Sequence, residues 1–117
     1  MKVHHLAVVV GDLARAEAFY GGFLGLPVVR RQEGWSIWFG LEDGTFLAVE
    51  KAAEDSPRRH DQAPGWHCIA FAIAKADREG WRARTAAHGL AVERESAFTL
   101  YVRDPDGNLV ALSHHPD

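Results

Sequence analysis

The sequence predicts an α+β fold made of two βαβββ modules. Three observations carry the prediction. Each half of the 117-residue chain opens on a short apolar run and a helix-like stretch. Each half then continues through three short strand-like runs divided by turn residues. The two openings also align without a gap, with Val3-His4-His5-Leu6-Ala7-Val8-Val9-Val10 lying over Trp66-His67-Cys68-Ile69-Ala70-Phe71-Ala72-Ile73. Such self-similarity constrains a fold more firmly than any single element.

In chain order, the valine-rich run Val3 to Val10 reads as a strand and stops at Gly11-Asp12. Asp12 is a helix N-cap for Leu13 to Leu24, where Leu13, Ala16, Phe19, Tyr20 and Phe23 recur at helical spacing. Gly25 closes the helix. Strands follow at Val28 to Arg31, Trp35 to Gly40 and Phe46 to Glu50, the last two joined by the turn Glu42-Asp43-Gly44. Ala52 to Gly65 is a loop with two prolines and many charges. The second half repeats the order: strand Trp66 to Ile73, helix Asp77 to His88 closed by Gly89, and strands Leu90 to Glu93, Phe98 to Arg103 and Leu109 to Ser113. The last two are joined by Asp104-Pro105-Asp106-Gly107-Asn108. The length suits one domain, divided into module one at about residues 1–52, a linker at about 53–65 and module two at about 66–117.

Composition narrows the partners. Hydrophobic residues make up 47% and charged residues 25%, and the net charge of −3 is spread along the chain. That argues against a nucleic-acid partner; the one basic cluster, Arg58-Arg59-His60, is followed at once by Asp61. No apolar run is long enough to span a bilayer, and no secretory leader pattern opens the sequence. Cys68 is the sole cysteine, which excludes an internal disulfide and suits a reducing compartment. The expectation is a soluble cytoplasmic protein.

The repeat, the opening His4-His5-Leu6-Ala7-Val8-Val9-Val10-Gly11-Asp12-Leu13, the helix end Phe19-Tyr20 through Leu24-Gly25-Leu26, and the Asp104–Asn108 turn resemble the vicinal-oxygen-chelate superfamily, the glyoxalase, bleomycin-resistance and extradiol-dioxygenase group. The resemblance covers nearly the whole chain. It implies a curved mixed sheet that forms a cup with the helices outside, and a homodimer. It also implies that the loop from Ala52 to Gly65 is where a module swap between chains would hinge. Because the superfamily hosts many chemistries, function has to be argued from the site.

Strand alternation assigns side chains to faces. Leu6, Val8 and Val10 are the larger apolar set and are placed against the helix, which leaves His5, Ala7 and Val9 on the cup face. The same rule puts Cys68, Ala70 and Ala72, Ala48 and Glu50, and Ala111 and Ser113 on that face. Metal-binding members of the superfamily resemble one another in four cup positions, which here hold His5, Glu50, Cys68 and Ala111. His5 and Glu50 keep donors, Cys68 stands for a histidine, and Ala111 has no donor. The candidate metal set is therefore His5, Glu50 and Cys68, with His67 as a substitute. The metal question stays open between none and one divalent ion, zinc, manganese or nickel.

The cup face is otherwise rich in small residues, and aromatic walls suit planar or cationic ligands. Trp38, Trp66, Ala70, Tyr101, Arg103 and Ala111 are the candidate ligand-binding residues. Trp81 is assigned to the core, and Arg103 either serves the ligand or pairs with Asp104 or Asp106. His114 and His115 read as solvated. Three functions remain in view. The first is metal-free binding or sequestration of an aromatic or cationic small molecule. The second is a metal-dependent isomerase, lyase or thiol transferase resembling glyoxalase I. The third is metal-free acid–base catalysis by His5 and Glu50.

Overall fold

The computed structural model describes all of residues 1–117 except Asp55, Arg58, Arg59 and Asp61, so the basic cluster beginning at Arg58 falls largely outside the described residues. The chain divides into two compact units, Met1–Pro57 and Arg58–Asp117. The first contains β1 (His5–Val10), α1 (Leu13–Glu17), β2 (Val28–Gln32), β3 (Ser36–Gly40) and β4 (Phe46–Lys51). The second contains β5 (Ile69–Ala72), α2 (Arg78–Ala87), β6 (Arg94–Glu95), β7 (Thr99–Arg103) and β8 (Leu109–Ser113). Each unit is a βαβββ module with one four-stranded mixed sheet, ordered β1-β4-β3-β2 and β5-β8-β7-β6. In each, the first strand pairs parallel with the last, and the remaining pairings are antiparallel.

In the first unit Asp12 caps α1 by accepting from the Arg15 N–H at 2.9 Å. α1 then widens into a π-helical turn over Ala18–Phe23, and Leu24 and Leu26 bond back to Phe19 and Tyr20. The wider turn carries Phe19, Tyr20 and Phe23, all buried, towards the sheet, and the Tyr20 and Phe39 ring centroids are 6.1 Å apart. Gly25 ends the segment at φ 77°, where a side chain is disfavoured. Phe39 lies opposite Leu47, and Ile37 opposite Val49, so these four buried residues form the sheet's helix-facing layer. Arg31, on the same face of β2, donates two hydrogen bonds to Glu17, at 2.7 and 2.6 Å. The Glu17 carboxyl is held below its ordinary range, chiefly by those bonds.

In the second unit a 3₁₀ turn at Lys75–Asp77 leads into α2. The sheet buries Leu100, Val102, Val110 and Leu112 on one face. The Asp104–Asn108 turn is organised by Asp104, which is 4% exposed. Its carboxylate accepts from the backbone N–H of Asp106 and of Asn108 and from the Asn108 amide.

Three sequence expectations need correction. β6 is Arg94–Glu95, not Leu90 to Glu93, because Leu90 is held at the helix end by its N–H donating to the Thr85 carbonyl. β5 begins at Ile69, not Trp66. Ile69 pairs with Val110, so Trp66 and His67 fall opposite the turn before β8, where there is no strand to pair with. His114 is 6% exposed, not solvated, and its Nε2 accepts from Arg78 at 3.0 Å.

Candidate functional site

The strand pairings give the two modules a common register. Across module one, Ala7, Ala48, Trp38 and Arg30 form one row from β1 to β2. Across module two, Ala70, Ala111, Tyr101 and Arg94 form the matching row from β5 to β6. The row on one side holds Val9, Glu50 and Ser36 in module one and Ala72, Ser113 and Thr99 in module two. In module one these rows lie on the sheet face turned away from the Phe39 and Ile37 layer, and in module two on the face turned away from the Leu100 and Val102 layer, as alternation requires. Burial along β1 supports that reading, since His5, Ala7 and Val9 are exposed while Leu6, Val8 and Val10 are more covered.

Module one presents a run of stacked rings on this face. The Trp38 and Phe46 centroids are 4.3 Å apart with their planes 12° from parallel. Phe46 stacks in turn on His5 at 4.7 Å with parallel planes. The Arg30 guanidinium caps the far side, 4.8 Å from the Trp38 ring. At the near end the Nδ1 atoms of His4 and His5 lie 2.9 Å apart, so one ring donates and the other accepts. Phe46 is the residue that the sequence reading missed. Its parity with Ala48 and Glu50 was the available signal.

Module two repeats the arrangement in reduced form. The Arg94 guanidinium sits 4.4 Å from the Tyr101 ring, and Nη2 donates to Nε2 of His67 at 3.3 Å. Thr99 Oγ1 donates to Ser113 Oγ at 2.9 Å. Arg103 is committed to the turn, donating to Glu93 at 2.9 Å and to the Gly107 carbonyl at 3.0 Å. Of the other proposed ligand residues, Ala70 is exposed, Ala111 is 2% exposed and so covered over, and Trp66 is 83% exposed ahead of the strand. Trp66 therefore belongs to no wall on this face.

The proposed metal set does not assemble. His5 lies opposite Phe46, and Glu50 lies opposite Val9. Four residues of strand therefore separate His5 from Glu50, about 13 Å at the usual rise. His5 and Glu50 therefore stand in rows four residues apart and not opposite one another. The β4 position two residues nearer His5 is Ala48, whose counterpart in β8 is Ala111. The row from which a strand carboxylate could meet an ion held by His5 thus carries alanine in both modules. His67, the substitute, already accepts from a guanidinium, and a cation beside it repels a metal. Cys68 is a half-buried thiol just ahead of β5. Among the described residues no three histidine, cysteine, aspartate or glutamate side chains are placed to hold an ion. The residues present therefore do not fit the divalent metal of metal-binding relatives.

Comparison with known proteins agrees with the architecture. The glyoxalase/dioxygenase from Nostoc punctiforme superposes with a TM-score of 0.83 at 24% identity, covering 99% of this chain and 92% of the other. The lactoylglutathione lyase from Agrobacterium tumefaciens gives 0.73 at 26% identity, covering 97% and 93%. A variant of the fosfomycin resistance protein FosX from Listeria monocytogenes, complexed with Mn(II) and a dihydroxypropylphosphonic acid, gives 0.77 at 19% identity, covering 96% and 88%. No curated protein sequence matches the chain. The model of the Glyoxalase/Bleomycin resistance protein/Dioxygenase superfamily matches residues 2–112, and with the paired βαβββ modules this makes the chain a member of that superfamily.

Proposed function

We propose that the protein is a metal-free small-molecule-binding member of its superfamily, a homodimer in the cytoplasm that holds an organic ligand on the ring-bearing faces of its sheets. The observation that carries this reading is alanine at Ala48 and Ala111, in the rows from which a carboxylate could meet an ion held by His5, while the same face of module one keeps the Trp38, Phe46 and His5 ring stack. A Lewis-acid enzyme requires about three protein donors and an open position, and module one alone fails to bring His5 and Glu50 together. A binding protein requires apolar surface with a few directed polar groups, which the partly exposed Trp38, Phe46 and Tyr101 rings and the adjoining arginines supply. Ala7 and Ala70 are exposed beside the rings, so apolar contact is available at the margins of β1 and β5. A lone, half-buried thiol at Cys68 suits a reducing compartment.

The test is titration of the protein with a chemically broad panel of aromatic metabolites and antibiotics, read by intrinsic tryptophan fluorescence. Saturable binding that weakens on Phe46→Ala is the expected result. Absence of saturable binding across the panel would remove the reading. Sedimentation velocity at micromolar concentration should show a dimer.

A further inference from the structure

The charge of the ligand is readable from how the arginines are used. Arg31, Arg78, Arg82 and Arg103 each pair with a glutamate. Arg15, Arg30 and Arg94 form no ion pair with an acidic side chain among the described residues, and of these three only Arg30 and Arg94 lie over a ring. They occupy the same place in the repeat, at the outer end of the matched rows, and each lies over the aromatic residue next to it. Arg94 has one nitrogen on the His67 ring, and its remaining guanidinium N–H groups have no protein acceptor among the described residues.

The aromatic groups point the same way. A ligand cation would need an open ring face. One face of Trp38 carries Arg30, and Phe46 is stacked between Trp38 and His5. What these rings offer outward is their edges, which carry the positive side of the ring quadrupole. Ring edges and unpaired guanidinium groups both favour negative charge. The one carboxylate on the module-one face, Glu50, is in the neighbouring row beside Val9 and Ser36, two residues along β4 from Ala48.

We infer that the ligand is an organic anion, an apolar body carrying a carboxylate or phosphate, with Arg94 over Tyr101 as the anion anchor and Arg30 over Trp38 as its counterpart in the repeat. This rests on the binding function proposed above and assigns it a ligand class, in place of the cationic compounds that the sequence alone left in view.

Calorimetric titration with a matched probe set tests it. The probes are 2-naphthoate, 2-naphthyl phosphate, 2-naphthalenemethanol and 2-naphthylmethylammonium. The proteins are wild type, Arg94→Gln and Arg30→Gln, each checked for unchanged circular dichroism and melting temperature. Charge-assisted hydrogen bonding predicts that one or both anions bind wild type about tenfold or more tightly than the alcohol. That preference should collapse in Arg94→Gln and weaken with added salt, while alcohol binding is retained. Naphthoate against naphthyl phosphate separates a carboxylate site from a phosphate site. Equal or tighter binding of the ammonium, or an anion preference that survives both substitutions, would overturn the anion assignment and leave the binding function standing. Failure of all four probes to bind would count against both.

Discussion

Asp104 is buried, and it accepts from two backbone N–H groups and the Asn108 amide. Asp104→Ala leaves both backbone donors without that acceptor, and the expected loss is about 2–3 kcal/mol in urea unfolding. Glu17 is a different case. It is at the surface, and its partner Arg31 is exposed, so solvent screens the pair and the effect is small. Its sign is fixed all the same. The Glu17 carboxyl is lowered in the folded protein, so its contribution is complete above the ordinary carboxylate range and is lost as pH falls through the folded value. The gap in urea midpoint between wild type and Glu17→Gln should therefore narrow from pH 7 towards pH 3. Urea titrations at a series of pH values would show it, and a gap that widened on acidification would contradict the assignment.

At the scale of elements, the end of the first helix depends on backbone conformation as much as on packing. Gly25 at φ 77° lets the chain leave the π-helical turn and enter β2. A Cβ added there would meet nothing within 4 Å, so Gly25→Ala tests conformation alone. The expected cost is about 1 kcal/mol, visible as a lower melting temperature. The sequence made most of these elements legible, since alternation in β1 and helical spacing in α1 depend only on neighbours along the chain. It did not reveal where pairing begins. β5 starts late because of where β8 starts, and Leu90 is drawn into the helix end instead of a strand. The same limit governed the site. Parity correctly placed His5 and Glu50 on one face, but parity carries no information about rows. Only the pairing of Glu50 with Val9 puts the two at opposite ends of β1. The Arg30 and Arg94 ring contacts also depend on cross-strand register and were invisible beforehand.

For the molecule as a whole, the two modules share a register but have diverged in chemistry. Trp38 is matched by Tyr101, Glu50 by Ser113 and Phe46 by Leu109. The shared alanines Ala48 and Ala111 are the reason to expect no stoichiometric divalent metal. Elemental analysis of protein purified without chelator should find well under one equivalent of zinc, manganese or nickel, and His5→Ala should not change the result. One equivalent that disappears in His5→Ala would mean that ligands outside either module's own rows complete a site.

The strand orders have one more consequence, for solubility. Each sheet ends on one side in a strand that carries charge, β2 with Arg30 and Arg31 and β6 with Arg94 and Glu95. It ends on the other side in β1 or β5, neither of which contains a lysine, arginine, aspartate or glutamate. Charged edges resist the addition of a foreign strand, while uncharged ones invite it. Sheet extension is therefore discouraged at β2 and β6, whereas β1 and β5 carry no charged side chain that would discourage it. Removing the arginines that guard the outer edges would cost protection against aggregation.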